Sequence, residues 1–143
     1  MAITSAICNS FKQEILEAEH NFTASSGNTF NLALYDSDAT LNKSTTVYTT
    51  SEELATTGGY TAKGKALTSV TPVLDSDTAV CDFANVSWTS ASFTARGCLI
   101  FNDDNSDTSV CAIDFGGDKT VTSGTFTVEF PAAAASTAII QIA

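Results

Sequence analysis

The sequence predicts a mostly β fold: an antiparallel β-sandwich or jelly roll carrying one N-terminal amphipathic helix. Three observations predict it. Apolar residues alternate with period two from Ser92 to Asn102 and again from Val110 to Phe115. Threonine, valine, isoleucine and phenylalanine, which suit pleated and half-buried surfaces, recur along the chain. A single stretch beginning at Ser10 carries helical spacing instead.

At 143 residues the chain is read as one domain over 1–143, with a candidate N-terminal arm over 1–9, a helix over 10–20 and the β-sandwich over 29–142. The helix rests on Phe11, Ile15, Ala18 and Phe22, a four-three-four stripe, and on Ser10 with Gln13 as a capping box. His20, the sole histidine, is expected near the helix end, where the dipole favours it.

Thr29 to Tyr35 alternates Phe30, Leu32 and Leu34 against Asn31, Ala33 and Tyr35, a strand. Asp36 to Gly64 is a long, weakly periodic connection of the kind that is often functional. Inside it Ser51 to Ala55 reads as a helical turn capped by Ser51, with Glu52 and Glu53 in its first turn. Lys65 to Thr71 is a strand stopped by Pro72, and Thr78 to Phe83 is the next. Ala84 to Ser90 holds the sole tryptophan, Trp88, expected over a core edge.

Ser92 to Phe115 is then a hairpin turning at the acidic run Asn102–Ser109. Pairing Phe101 with Cys111 sets Leu99 against Ile113 and Gly97 against Phe115. That register separates Cys98 and Cys111 onto opposite faces. It also makes both faces apolar, because Cys98, Ile100, Val110 and Ala112 share the second one. A second layer of the chain, such as the helix, is expected to cover them, with another subunit as the alternative. Gly116-Gly117-Asp118 is read as the end of the hairpin. Thr125 to Phe130 and Thr137 to Ile142 follow as strands, giving about seven or eight in all.

Composition excludes several functions. A formal charge of −10 with six Lys and Arg repels phosphate backbones, so nucleic acid is not expected as a partner. No window reaches the roughly 20 apolar residues of a membrane span. The N-terminal residues show no secretory signal, so a cytosolic origin is expected, and the sequons at Asn21, Asn42 and Asn85 carry little weight. Cys8, Cys81, Cys98 and Cys111 lack C-x-x-C spacing, which argues against zinc and for reduced, buried thiols.

Residues that could carry chemistry are few. Asp103, Asn105 and Asp107 have the 1, 3, 5 spacing of a calcium loop, with Asp114 twelfth. Thr108 stands where that loop needs glycine and strands flank it, so the metal reading yields to an ordinary turn. A Cys–His pair with His20 has no local motif behind it, and Gly116-Gly117 lacks a phosphate-loop context. No catalytic residue, metal or cofactor is assigned. Arg96, the sole arginine, is read as an ion-pair partner of Asp114, with a partner-binding role as the alternative. Trp88, Arg96, Gly97, Asp114 and Phe115 are thus taken as structural residues.

Taken together, SFKQEILEAEHNF, TFNLALYDSDATLNKSTTVY, GGYTAKGKAL, WTSASFTARGCLIFND and AIDFGGDKTVTSGTFTVEFPAA resemble a family of small virion proteins of tailed bacteriophages. The resemblance runs in order through nearly the whole chain. It implies a capsid cement or decoration protein: no enzyme, a β-sandwich bound outside the shell, made in the host cytoplasm and partnered by the major capsid protein. A dimer or trimer would suit the local symmetry of a shell. Alternatives are another virion component, such as a head fibre, neck or tail-associated protein, or a carbohydrate-binding β-sandwich. The latter would use Trp88, Tyr35, Tyr48 or Tyr60 as stacking platforms.

Overall fold

A computed structural model describes residues 2–143. Its chain order is β1 (Ala6–Ile7), α1 (Asn9–Leu16), β2 (Phe30–Tyr35), β3 (Lys65–Ala66), β4 (Ser69–Asp75), β5 (Thr78–Phe83), β6 (Val86–Asn102), β7 (Thr108–Val128) and β8 (Ile140–Ile142). One antiparallel sheet runs β1-β7-β6-β2-β3 and the other β4-β5-β8. The chain is a mostly β protein of two sheets with one short helix, consistent with a β-sandwich.

The β6–β7 hairpin organises both layers. It is longer than the alternation indicated, because Trp88 and Phe126 belong to it as register partners. Paired bulges interrupt the ladder around Ala91, where Ser90 and Ser123 take positive φ of 49° and 47°. Such irregularities let a strand turn a corner between sheets. The corner is sharp. Phe115 and Phe126 would lie about 35 Å apart on a straight strand, yet their ring centroids are 6.2 Å apart. Nor does Gly116-Gly117-Asp118 end the hairpin. Ala95 pairs with Lys119 and Gly97 with Asp114, so residues 115–118 form a bulge opposite Arg96, with Gly116 at φ 78°.

The register differs from the expected one. Ile100 pairs with Cys111, Leu99 with Ala112 and Cys98 with Ile113, while Phe101 pairs with Ser109. Val110 is the extra residue of a bulge, and it slips the second arm by one position. Cys98 and Cys111 consequently share a face and a core cluster rather than lying on opposite sides.

Both faces of the hairpin are covered from within the chain. One cluster joins Cys98, Ile100 and Val110 to Phe11 of α1, Phe30, Leu32 and Leu34 of β2, and Cys81 and Phe83 of β5. The other joins Leu99, Phe101 and Ala112 to Ile3, Ala39 and Leu41, with Tyr48 packed against it. The long connection is therefore a covering layer, and β2 sits buried on both faces between β6 and β3.

Several local expectations change. The expected arm over 1–9 begins outside the described residues, and within 2–9 it is not free: β1 pairs with β7, Ile3 bridges Leu41, and Asn9 already begins α1. The helix stops at Leu16 rather than residue 20, since Glu17 leaves helical geometry and Ala18 has φ 62°. Cys8 is its N-cap, without a side-chain cap, and Ser10 Oγ is buried with no partner. Ser51–Ala55 forms no helical turn; Glu52 has φ 60° and Glu53 bridges Tyr35. Pro72 does not stop its strand. It lies inside β4 at the bulge between Val70 and Val73, on a sheet edge where its missing N–H is tolerated.

Candidate functional site

The hairpin tip, the region singled out for metal chemistry, is organised around a lysine. Lys63 Nζ lies 3.1 Å from Asp103 Oδ1 and 2.9 Å from Asp107 Oδ2. The same ammonium stands over the rings of Tyr48 and Phe101, 5.7 and 5.9 Å from their centroids. Asn105 turns away, donating from Nδ2 to Glu19 O at 3.0 Å and to Glu19 Oε2 at 2.9 Å. Asp104 Oδ2 accepts the Thr29 N–H at 2.6 Å. Asp103, Asn105 and Asp107 therefore do not all converge on one point, and with Asp104 their side chains tie the tip to three other segments, at Lys63, Glu19 and Thr29. Nothing in the local pattern announced Lys63; Gly64, at φ 67° and pressed against Leu32 O, sets its position.

Arg96 and Asp114 meet as expected, with Arg96 Nε donating to Asp114 Oδ1 at 2.9 Å. That contact holds the Asp114 carboxyl below its ordinary range, helped by the Gly116 N–H. Gly97 beside them is required by close approach, since a Cβ there would stand 2.5 Å from Ile113 O and 2.8 Å from Ile3 Cδ1. Trp88 is fully within the core rather than folded over its edge. Phe115 is half-buried against Phe126 at the corner.

A second polar hub, unforeseen in the sequence, centres on Glu53. Its Oε2 accepts Tyr48 Oη at 2.5 Å, and its Oε1 accepts Tyr60 Oη and Lys63 N at 2.7 Å each. Tyr60 Oη in turn accepts the Leu34 N–H at 3.0 Å. Burial, then Glu53, pushes the Tyr60 phenol well above its usual range, keeping it a donor. This hub fastens the covering loop to β2. Of the residues named as carbohydrate platforms, Trp88, Tyr35 and Tyr60 are core residues, and half-buried Tyr48 stacks on Phe101.

His20 lies past the helix, buried rather than exposed. Its Nε2 is 2.7 Å from Glu14 Oε2 and its Nδ1 is 3.1 Å from Asn102 Nδ2. Since the amide nitrogen donates to Nδ1, the ring proton is assigned to Nε2, which donates to Glu14. All four cysteines are buried free thiols of one cluster, so the reduced, inert reading fits them. Burial, the leading cause, pushes Cys81 up to about 12, and Cys98 and Cys111 also rise. Thiolate chemistry is disfavoured there.

One acidic group outside these contacts is formed by Asp36, Asp38 and Glu52, whose carboxylate oxygens lie within 4.8 Å of one another. Asp36 Oδ1 accepts the Asp38 N–H at 2.9 Å, which is ordinary turn chemistry. The concave surface is part polar, in a groove of about 310 Å³ lined by Thr23, Ser25, Asn28, Thr29, Thr68 and Ser69, and part apolar. A groove of about 360 Å³ opens at the corner between Phe115, Phe126 and Phe130, and another of about 290 Å³ lies between α1 and β8. Among the described residues no helix is long and apolar enough to cross a membrane.

No protein-family model matches this chain, and neither a curated protein nor a solved structure matches it.

Proposed function

We propose that this chain is a non-enzymatic structural protein that binds and stabilises the outer capsid shell of a tailed bacteriophage. One observation carries the reading. The residues that the sequence offered for chemistry are spent on internal contacts, with the Asp36, Asp38 and Glu52 turn outside them: Asp103 and Asp107 on Lys63, Arg96 on Asp114, and four thiols on the core, while Glu53 takes three donors. The likeness of five ordered sequence segments to small phage virion proteins supports the same role.

In this reading the partner is the major capsid protein, with the chain acting as a dimer or trimer on the virion exterior. Binding to the assembled lattice and not to its separated subunits stabilises the shell by mass action over many copies. Counting copies in purified particles and locating them by electron microscopy tests it. Hundreds of copies on the shell are expected. A dozen or fewer at one vertex would instead make the protein a neck or fibre component, and absence from particles would remove both readings.

A further inference from the structure

Strand β5 is buried on both faces, although only one of them looks into the core. Its side chains alternate: Cys81 and Phe83 join the core cluster, while Val80 and Asp82 point the other way. Yet Val80 is 2% and Asp82 0% exposed. The segment crossing this outer face is 131–138, which links Phe130 to β8. Val73 pairs with Val80 and Asp75 with Thr78, so the Asp75 side chain lies on the same outer face. There Asp75 Oδ2 accepts the Ala135 N–H at 2.7 Å. The Phe130 N–H is held by Asn85 Oδ1 at 2.8 Å, and Ala138 is buried.

Asp82 is poorly provided for beneath this strap. Its Oδ1 accepts the N–H of its own neighbour Phe83 at 2.9 Å, and its Oδ2 has no hydrogen-bond partner. Val70 is its partner on β4, and Ile140 pairs with Cys81, which brings Ile139 alongside. Across β4, β8 and residues 131–138 the one titratable side chain is Asp75, another acid, and β5 adds Cys81 on the core face. No cation belongs to any of these elements. A carboxylate ionised here would be dry, without a counter-charge and short of donors, which is costly. Burial accordingly holds the Asp82 carboxyl above its ordinary range, and the Phe83 and Ile139 backbone offsets this only in part.

The cover is light. Among residues 131–138 only Ala138 is buried. The rest of the strap is held by the Asp75 contact and by its own turn, in which Thr137 Oγ1 donates to Ala132 O at 2.7 Å and Ala138 N to Ala134 O at 3.0 Å. A segment with so few buried apolar contacts can open without unfolding the rest.

We infer that Asp82 is a proton-operated latch for residues 131–138: the strap is seated while this carboxyl is neutral and lifts to admit water when it ionises. Lifting returns the carboxyl to its ordinary value of about 3.9. The seated form is therefore fully favoured below that value and loses ground as pH rises through the higher folded one. Opening uncovers Val80 on the outer face of the sheet. The latch is a property of the chain alone and stands apart from the shell-binding reading.

Amide exchange of the purified chain, followed residue by residue by NMR from about pH 4 to about pH 8 and corrected for intrinsic rates, tests it. Protection of the Ala135 and Ala138 amides should fall roughly tenfold for each pH unit above the folded value. Leu99 and Ile100 in the central ladder should keep theirs. Asp82→Asn should hold the strap shut across the range. Asp75→Ala, which removes the tether, should lower protection of Ala135 and Ala138 at every pH and leave the slope in place. Protection in wild type that does not change with pH would overturn the latch, and that series needs no variant to fold. The same decline in Asp82→Asn would assign the effect to other charges, and a decline shared by Leu99 would make it global unfolding; either result defeats the inference.

Discussion

Tyr60 Oη donates its proton to Glu53 Oε1 across 2.7 Å and itself accepts the buried N–H of Leu34 at 3.0 Å. One phenol therefore satisfies a backbone donor in β2 and anchors the covering loop. Tyr60→Phe keeps the ring, takes the hydroxyl acceptor from the Leu34 N–H and leaves Glu53 with Lys63 N and Tyr48 Oη alone. It should cost about 1–3 kcal/mol, since an unsatisfied buried donor loses its full desolvation energy. Urea unfolding with an unchanged slope checks this; a midpoint equal to wild type would deny the hub its role.

Gly97 faces a different constraint. It lies between Tyr35 on one side and Asp114 on the other, with Ile113 O and the Ile3 side chain where a Cβ would go. Gly97→Ala should destabilise by about 1–3 kcal/mol through overpacking. Adding Ile3→Ala should recover only part of that, because the backbone carbonyl cannot retreat as a side chain can.

Two carboxyls should give opposite pH dependences. Arg96 holds Asp114 low, so that contribution is present above the unfolded carboxyl value of about 3.9 and is lost as pH falls through the lower folded value. Arg96→Ala should flatten the acid limb of a stability profile. Asp82 is the reverse case: its carboxyl is buried, its Oδ2 has no partner, and burial raises it. Its contribution is full below about 3.9 and disappears as pH rises through the raised folded value. Asp82→Asn, neutral throughout, should remove that decline. Urea midpoints across the pH range decide both.

The four buried thiols should resist alkylation in the native state. Their ionisation is suppressed by burial, and each is enclosed by the core cluster. Labelling with iodoacetamide should therefore follow global unfolding, with all four modified together as urea is raised. Selective native-state labelling of one cysteine would contradict the packing.

At the tip, the Lys63 contacts are partly exposed, so Lys63→Met should cost no more than about 1 kcal/mol, and less at high salt. Calcium should leave wild-type unfolding unchanged, because Lys63 already occupies the space between Asp103 and Asp107. A calcium-dependent rise in unfolding temperature would restore the metal reading.

What the sequence made legible was periodicity, and what it hid was interruption. Alternation located β2, β5 and the central part of β6 within a residue or two. The Val110 bulge left the alternation of the second arm intact while shifting its partner by one, so faces were assigned to Cys111 and Ala112 the wrong way round. Gly116-Gly117 looked like a terminus and proved to be a bulge, because glycine suits both. Arg96 and Asp114 were within reach of register reasoning. Lys63 and Asp103, or His20 and Asn102, were not, since no local pattern links residues so distant in the chain.

The corner in the β6–β7 hairpin also bears on how the chain acquires its structure. Its two arms are joined by a short tip, so they can find each other early and cheaply. The ends of the chain must wait: β1 has two residues to pair with β7, and β8 has three to pair with β5. A chain leaving the ribosome would thus hold its N-terminal residues unpaired until the hairpin that receives them has been made. Strand β8 can likewise pair only once β5 is in place, setting Ile140 beside Cys81.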